Sequence, residues 1–230
     1  MLPEAEMNQT KEQTSFAVEE ILIQYREKPF YDFIKRSFDL LASLIAIVAL
    51  SWLFLLIAIA VRLDSKGPAF YKSTRYGKNG KPFTFYKYRS MVMDADKQHA
   101  AMAEMDSGKS DGVRLKVHND PRITRVGKFL RKTSLDELPQ LFNVLNGTMT
   151  LVGPRPCIRS EIELYDTYDK QRLLVKQGLT CIWQCSGRSN ISFKEQVAMD
   201  IEYIEKRGIL TDIKLLFKTI PAVLGGKGAE

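Results

Sequence analysis

Two adjacent carboxylates, Asp136 and Glu137, close a segment dense in positive charge. The residues before them read RLKVHNDPRITRVGKFLRK, where Arg114, Lys116, Arg122, Arg125, Lys128, Arg131 and Lys132 face one acid, Asp120. A hard cation such as Mg²⁺ takes one or two carboxylates plus phosphate oxygens and keeps several waters. Arg131 and Lys132 could hold phosphate oxygens, the arginine by two parallel bonds. The turn GPRP, residues 153–156, presents a further cation, Arg155. These residue types in this order point to a Mg²⁺–phosphate site.

A structural reading competes with the chemical one. Ser134-x-x-Glu137 fits a capping box, with Ser134 as N-cap and Glu137 three residues on. Pro139 then falls inside the helix, where it removes a hydrogen bond and disfavours helical geometry at Leu138. Proline is at home at the first helical position. That alternative places Asp136 and Glu137 just ahead of a helix, on a bent and partly exposed backbone.

The elements around this pair divide the chain. Leu40 to Val61 reads LLASLIAIVALSWLFLLIAIAV, without charge, Gly or Pro. Roughly 22 helical residues cover about 33 Å, enough for a bilayer core of about 30 Å. Its length, its late start and the lack of a small-residue cleavage site before the next polar stretch argue against a cleaved signal peptide. Basic residues lie on both sides: Arg26, Lys28, Lys35 and Arg36 before, Arg62, Lys66, Lys72 and Arg75 after. Positive charge favours the cytoplasmic side, so a helix that dips in and returns satisfies both flanks, while the lack of a central proline favours a straight crossing. The two readings stay open on these residues.

Downstream, GPAFYKSTRYGKNGKPFTFYKYRSM predicts two strands joined by the Gly-Lys-Asn-Gly turn. VMDADKQHAAMAEM is predicted helical and DSGKSDG a loop. Leu138, Leu141, Phe142 and Leu145 recur at helical spacing, stopped by Asn146-Gly147. IRSEIELYDTYDKQRLLVKQ and SFKEQVAMDIEYIEKRG are predicted as amphipathic helices. So is ILTDIKLLFKTIPAVL, with Ile213, Leu216, Phe217 and Ile220 on one face, suited to a membrane surface. Met1 to about Glu27, polar and acidic at first with a short apolar patch near Ile21, is expected to be a variable extension with one surface helix. Three cysteines, Cys157, Cys181 and Cys185, without CxxC spacing exclude a disulfide framework and a zinc cluster. The net charge of +7 fits phosphorylated ligands, an anionic membrane or nucleic acid.

Four blocks together narrow the choice: KRSFDLLAS; RLDSKGPAFYKSTRYGKNGKPFTFYKYRSM; DPRITRVGKFLRKTSLDELPQLFNVLNGTMTLVGPRP; and GLTCIWQCSGRSNISF. In this order they resemble the bacterial sugar transferases, or monotopic phosphoglycosyl transferases, over about Phe30 to Ala229. The C-terminal blocks are most similar to undecaprenyl-phosphate galactose or glucose phosphotransferases. The resemblance implies an α+β fold, mostly α. Residues 1–29 would be a variable extension, 30–62 a membrane-inserted, re-entrant helix, and 63–230 a cytoplasmic catalytic domain with a short β-hairpin and interfacial helices. It implies transfer of hexose-1-phosphate from a UDP-sugar to undecaprenyl phosphate at the bacterial inner membrane, with UMP released and a lipid-linked glycan begun. Asp136 matches the nucleophile and Glu137 its Mg²⁺-associated partner, with Mn²⁺ able to substitute. Arg131 matches a phosphate-binding residue, Arg155 falls in the nucleotide-sugar pocket, and Lys87 and Arg89 line the same cleft. A homodimer is compatible with this family. One departure stands out: the family's mid-helix proline, often after Ser, is replaced here by Trp52 after Ser51.

Other classes fit less well. A membrane-tethered nucleic-acid binder would share the charge, but no reader motif is present, so nucleic acid is not expected as a partner. An inactive assembly protein has no use for the acid pair. A Mg²⁺-dependent phosphohydrolase would need no lipid acceptor.

Overall fold

The computed structural model describes residues 18, 20–93, 95, 120–187 and 191–225, leaving aside the side chains of 223–225. The fold is α+β and mostly helical, with two small sheets. The segments VMDADKQHAAMAEM and DSGKSDG lie almost wholly outside the described residues.

The apolar run is not one rod. Helix α1 (Pro29–Ala49) and helix α2 (Ser51–Asp64) meet at Leu50 and are bent by 63°. Among the described residues no single helix is long and apolar enough to cross a membrane, whereas the bent pair passes that test jointly. The bend forms without proline. The break is at Leu50, whose φ −96° and ψ 8° leave the helical range; Ser51 follows it, and one turn further on the Tyr88 hydroxyl donates to the Phe54 carbonyl at 2.9 Å.

Both limbs are also tied to the body. Asp39, buried in α1, accepts from the Thr150 hydroxyl at 2.6 Å and the Leu151 amide at 3.1 Å. Arg36 donates to the carbonyls of Val144 and Leu145 at 2.6 and 2.8 Å. At the far end Arg89 donates to the carbonyls of Ser65 and Lys66 at 2.7 and 2.8 Å. The outward faces stay apolar: Phe33, Leu41, Ile45, Val48, Trp52, Leu55 and Leu63 are exposed.

Strands β1 (Phe70–Tyr76) and β2 (Pro82–Tyr88) form the expected antiparallel hairpin. Its turn places Asn79 at φ 56° and Gly80 at φ 65°, conformations that Asn and Gly tolerate best. Helix α3 (Arg125–Thr133) and helix α4 (Gln140–Leu145) follow. Strand β3 (Thr150–Val152) pairs in parallel with β4 (Gly178–Thr180), a pairing the sequence did not announce. Phe85, Leu141, Val144, Met149, Val152, Tyr203, Ile204 and Leu215 form the main core.

The helix expected over IRSEIELYDTYDKQRLLVKQ is corrected. Only α5 (Arg159–Ile162) and a 3₁₀ turn, Asp169–Leu173, form there. The Asp169 amide donates to Asp166 at 2.7 Å, a local bond that competes with the helical ladder. Arg172 is fully buried in an ion pair with Asp200. The short α6 (Ile182–Ser186) leads on to α7 (Phe193–Lys206), which forms as expected, with a capping box between Ser192 and Glu195. Helix α8 (Ile209–Gly225) buries Leu215 and Asp212 and exposes Phe217 and Ile220. Asp212 joins it to α1 and α7, accepting from Tyr31 at 2.8 Å, Lys35 at 2.6 Å and Tyr203 at 2.9 Å. Residues 20–28 hold no helix and run across the body, where Gln171 bonds both the Leu22 amide and the Glu20 carbonyl.

Candidate active site

The acid pair is delivered by a tightly fixed α3. Thr124 caps it by accepting from the Gly127 amide at 3.0 Å, and Asp64 at the end of α2 accepts from the Val126 amide at 2.9 Å. At Gly127 the helix lies directly on Ser90: a Cβ there would stand 2.0 Å from the Ser90 carbonyl oxygen. The helix ends at Ser134, at φ 57° in the left-handed region, and a 3₁₀ turn, Leu135–Glu137, carries the two acids. The capping-box reading is thereby corrected, because the Ser134 side chain makes no cap bond. A non-glycine residue held there costs on the order of 1–3 kcal/mol, and such residues gather at functional sites. Pro139 sits at the N-cap of α4, one residue before the first helical position.

Each acid has its own cation. Lys87, from β2, approaches Asp136 at 2.8 Å, and Arg155 approaches Glu137 at 3.3 Å. Asp136 is 4% exposed, not partly exposed as its place before a helix suggested. A carboxylate can be buried this far when a charged partner compensates it. Arg155 follows β3 on a turn where two backbones touch: the Gly153 amide donates to Thr180 at 2.9 Å and the Gly178 amide to Pro154 at 2.8 Å. A Cβ at Gly178 would stand 2.1 Å from the Gly153 nitrogen. Burial works against the Arg155 charge, but Glu137 and Glu161 beside it hold its affinity for the proton above the ordinary value.

The remaining sequence candidates divide. Arg131 donates to the Ser90 hydroxyl at 2.9 Å; burial pulls its proton affinity down while Asp136 and Asp120 oppose that. Lys132 is exposed. Arg89 spends its hydrogen bonds on carbonyls at the end of α2, so it holds the helix pair. Arg122 is committed to a buried pair with Asp120 at 2.5 Å.

Sequence reasoning passed over Arg75 as a site residue. It lies on β1, stacked 5.1 Å from the Phe85 ring centroid, and its Nε is buried without a hydrogen-bond partner. Burial and the like charge of Arg155 hold its proton affinity below the ordinary value. A cation beside another cation, with unspent donor capacity, is suited to an anion. A lone Arg in a strand carries no spacing signal, so only the fold could bring it forward.

Among the described residues no group of three or more His, Cys, Asp or Glu side chains could hold a metal by itself. Two carboxylates without sulfur or imidazole do fit a hard cation that takes its other ligands from substrate phosphate and water.

The family model described as bacterial sugar transferase matches residues 30–226. The exopolysaccharide production protein ExoY of Sinorhizobium fredii is 41% identical over 204 residues, covering 88% of this chain and 90% of that protein. The galactosyl transferase CpsE of Streptococcus agalactiae is 42% identical over 197 residues, 85% of this chain and 43% of the relative. The undecaprenyl-phosphate galactose phosphotransferase of Salmonella typhimurium is 43% identical over 199 residues, 86% and 42% respectively. This chain therefore spans less than half the length of the latter two.

Proposed function

This chain belongs to the bacterial sugar transferase family, and from that premise we propose that it moves hexose-1-phosphate from a UDP-sugar to undecaprenyl phosphate. The observation that carries the reading is the pair of neighbouring acids, each matched to its own cation, Lys87 on Asp136 and Arg155 on Glu137. A relative is named for the same chemistry, a galactose phosphotransferase acting on undecaprenyl phosphate.

In the first half-reaction an Asp136 carboxylate oxygen attacks the sugar-bearing phosphorus of the donor. The new O–P bond replaces the bridging P–O bond, whose electrons leave with UMP. In the second, a phosphate oxygen of the lipid attacks the same phosphorus and the Asp136 carboxylate departs unchanged, leaving lipid diphosphate-sugar. Splitting the transfer lets a water-soluble donor and a membrane-held acceptor use one small site in turn. Lys87 holds Asp136 in position through their 2.8 Å ion pair. Arg155 and Arg75 bind the donor's phosphates, and Arg131 supports the same charge from the α3 side. Glu137 with Asp136 would hold Mg²⁺, or Mn²⁺ in its place, which offsets phosphate charge that would otherwise repel the nucleophile.

The bent helix pair gives the acceptor its setting. Its exposed apolar faces, and that of α8, suit a helix hairpin that enters the cytoplasmic leaflet and returns, with α8 on the surface. Both basic flanks then stay on the cytoplasmic face of the inner membrane. On this reading residues 30–62 are the membrane-inserted part and 63–230 the catalytic part, and the product begins a lipid-linked glycan.

The test is a UMP-release screen of UDP-sugars with the purified chain, undecaprenyl phosphate and Mg²⁺. Turnover that requires both donor and lipid supports the transferase. Release of free hexose phosphate without lipid would make the protein a hydrolase.

A further inference from the structure

On the face of the hairpin opposite Lys87 lies a cavity of about 560 Å³. Phe70, Lys72 and Tyr86 line it from the hairpin, Phe142 and Leu145 from α4, and Pro139 and Asn146 from the two caps of α4. Strand alternation explains the division, because Lys72 pairs with Tyr86 on one face and Tyr71 with Lys87 on the other. Its size falls within the roughly 300–1,000 Å³ of small-ligand sites.

Three features say what it takes. First, the walls are apolar and continuous with α2: Phe54 packs edge-on against Phe142 at 5.6 Å and near Tyr88 at 6.2 Å, and Tyr88 stacks on Phe70 at 5.1 Å. Second, the one charged residue of the lining is a cation, Lys72, whose ammonium lies 5.9 Å from the Tyr86 ring centroid. Third, Pro139 is three residues from Asp136, so their Cα atoms are at most about 10 Å apart, although Asp136 itself pairs with Lys87 on the other face of the hairpin. An occupant with an anionic head near Lys72 and an apolar chain leading toward α2 satisfies all three.

Resting on the transferase reading above, we propose that this groove seats the isoprenoid chain of the lipid acceptor next to its phosphate. The phosphate turns around Pro139 toward Asp136 while the first isoprene units lie between Tyr86 and Phe142. Lys72 meets the anionic head as it arrives from the membrane.

The test uses the full chain in nanodiscs and a polyprenyl phosphate carrying a diazirine on the isoprene adjacent to the phosphate. Irradiation is expected to label Phe70, Tyr86, Phe142 or Leu145, with undecaprenyl phosphate displacing the probe and a straight-chain alkyl phosphate or phosphatidylglycerol displacing it poorly. Labels confined to the outward faces of α1 and α2, or equal displacement by straight-chain lipids, would overturn the proposal. Leu145→Trp, which narrows the groove, is expected to raise KM for undecaprenyl phosphate about tenfold, the worth of roughly two methylene groups kept out. The exposed Lys72→Glu should raise it too; for a short-chain acceptor that does not fill the groove the Leu145→Trp effect should shrink, while the Lys72→Glu effect, which acts on the phosphate, should persist. Neither variant moving KM would count against the seat. Groove labelling in a wild-type protein that yields no UMP would sink the transferase reading and leave the seat standing; UMP release with labels elsewhere would do the reverse.

Discussion

Asp136 and Glu137 are neighbours in one 3₁₀ turn but face different cations. On the proposed reading, in which Glu137 serves the metal, Glu137→Gln should lower kcat severely and raised Mg²⁺ should restore part of it; a Mg²⁺ titration of UMP release checks this. Arg155→Ala and Arg75→Ala should weaken use of the UDP-sugar by about 1.5–3 kcal/mol, the range of a charge-assisted bond. Measured as kcat/KM, that loss should fall on the donor and leave the lipid KM unmoved. The acids and Arg155 drew notice because carboxylates next to a basic run, and an arginine between two prolines, are residue types suited to phosphate; the fold brings Arg155 onto Glu137. Arg75 drew none, since its significance depends on which cation the fold sets beside it. Arg89 read as a cleft residue from its place in KYRSM, but among the described residues its guanidinium donates to Val61 and Ser65 at the end of α2, to Lys66 and to Met93.

The elements that hold the site meet backbone to backbone, which makes their tolerance to change small. Gly127→Ala places a methyl group where the Ser90 carbonyl already stands, so α3 must shift. Overpacking of this kind costs about 1–3 kcal/mol or more, and a urea titration should show a lowered midpoint with unchanged slope. Asp39→Ala strips the Thr150 hydroxyl and Leu151 amide of their acceptor, for a loss of about 1–3 kcal/mol. Burial pushes the Cys157 thiol up to about 11, so its thiolate is scarce below that pH and rises only as pH climbs through it. Iodoacetamide at pH 8 should therefore leave Cys157 unmodified until the chain is unfolded, as peptide mass mapping would show. The hairpin, α4 and α7 were legible from alternation, helical spacing and caps. The β3–β4 pair was not, because two three-residue strands in parallel carry no periodicity. The helix expected over residues 158–177 failed because an apolar period is also met by short turns once Arg172 must reach Asp200.

At the scale of the molecule, the bend at Leu50 replaces a proline with tertiary ties on both limbs. Trp52, exposed in the first turn of α2, is expected to accept proline with little loss, whereas Ile57→Pro, inside the helix, should cost about 3 kcal/mol or more. The supports of the bend could not be read from the apolar run, since Asp39 meets Thr150 and Leu151 111 and 112 residues later in the chain. If the pair is re-entrant, a cysteine placed before Tyr31 should resist an impermeant reagent added from the periplasm to intact cells; modification there would mean a crossing helix. On the proposed transferase reading, the site, the membrane face and the two substrates converge on one covalent event at Asp136. The most direct test is intact-protein mass spectrometry of the chain mixed with its UDP-sugar and Mg²⁺ but no lipid. A gain of one hexose phosphate, matched by about one UMP per active site and absent in Asp136→Asn, is the expected result; an adduct that persists in Asp136→Asn would contradict the account.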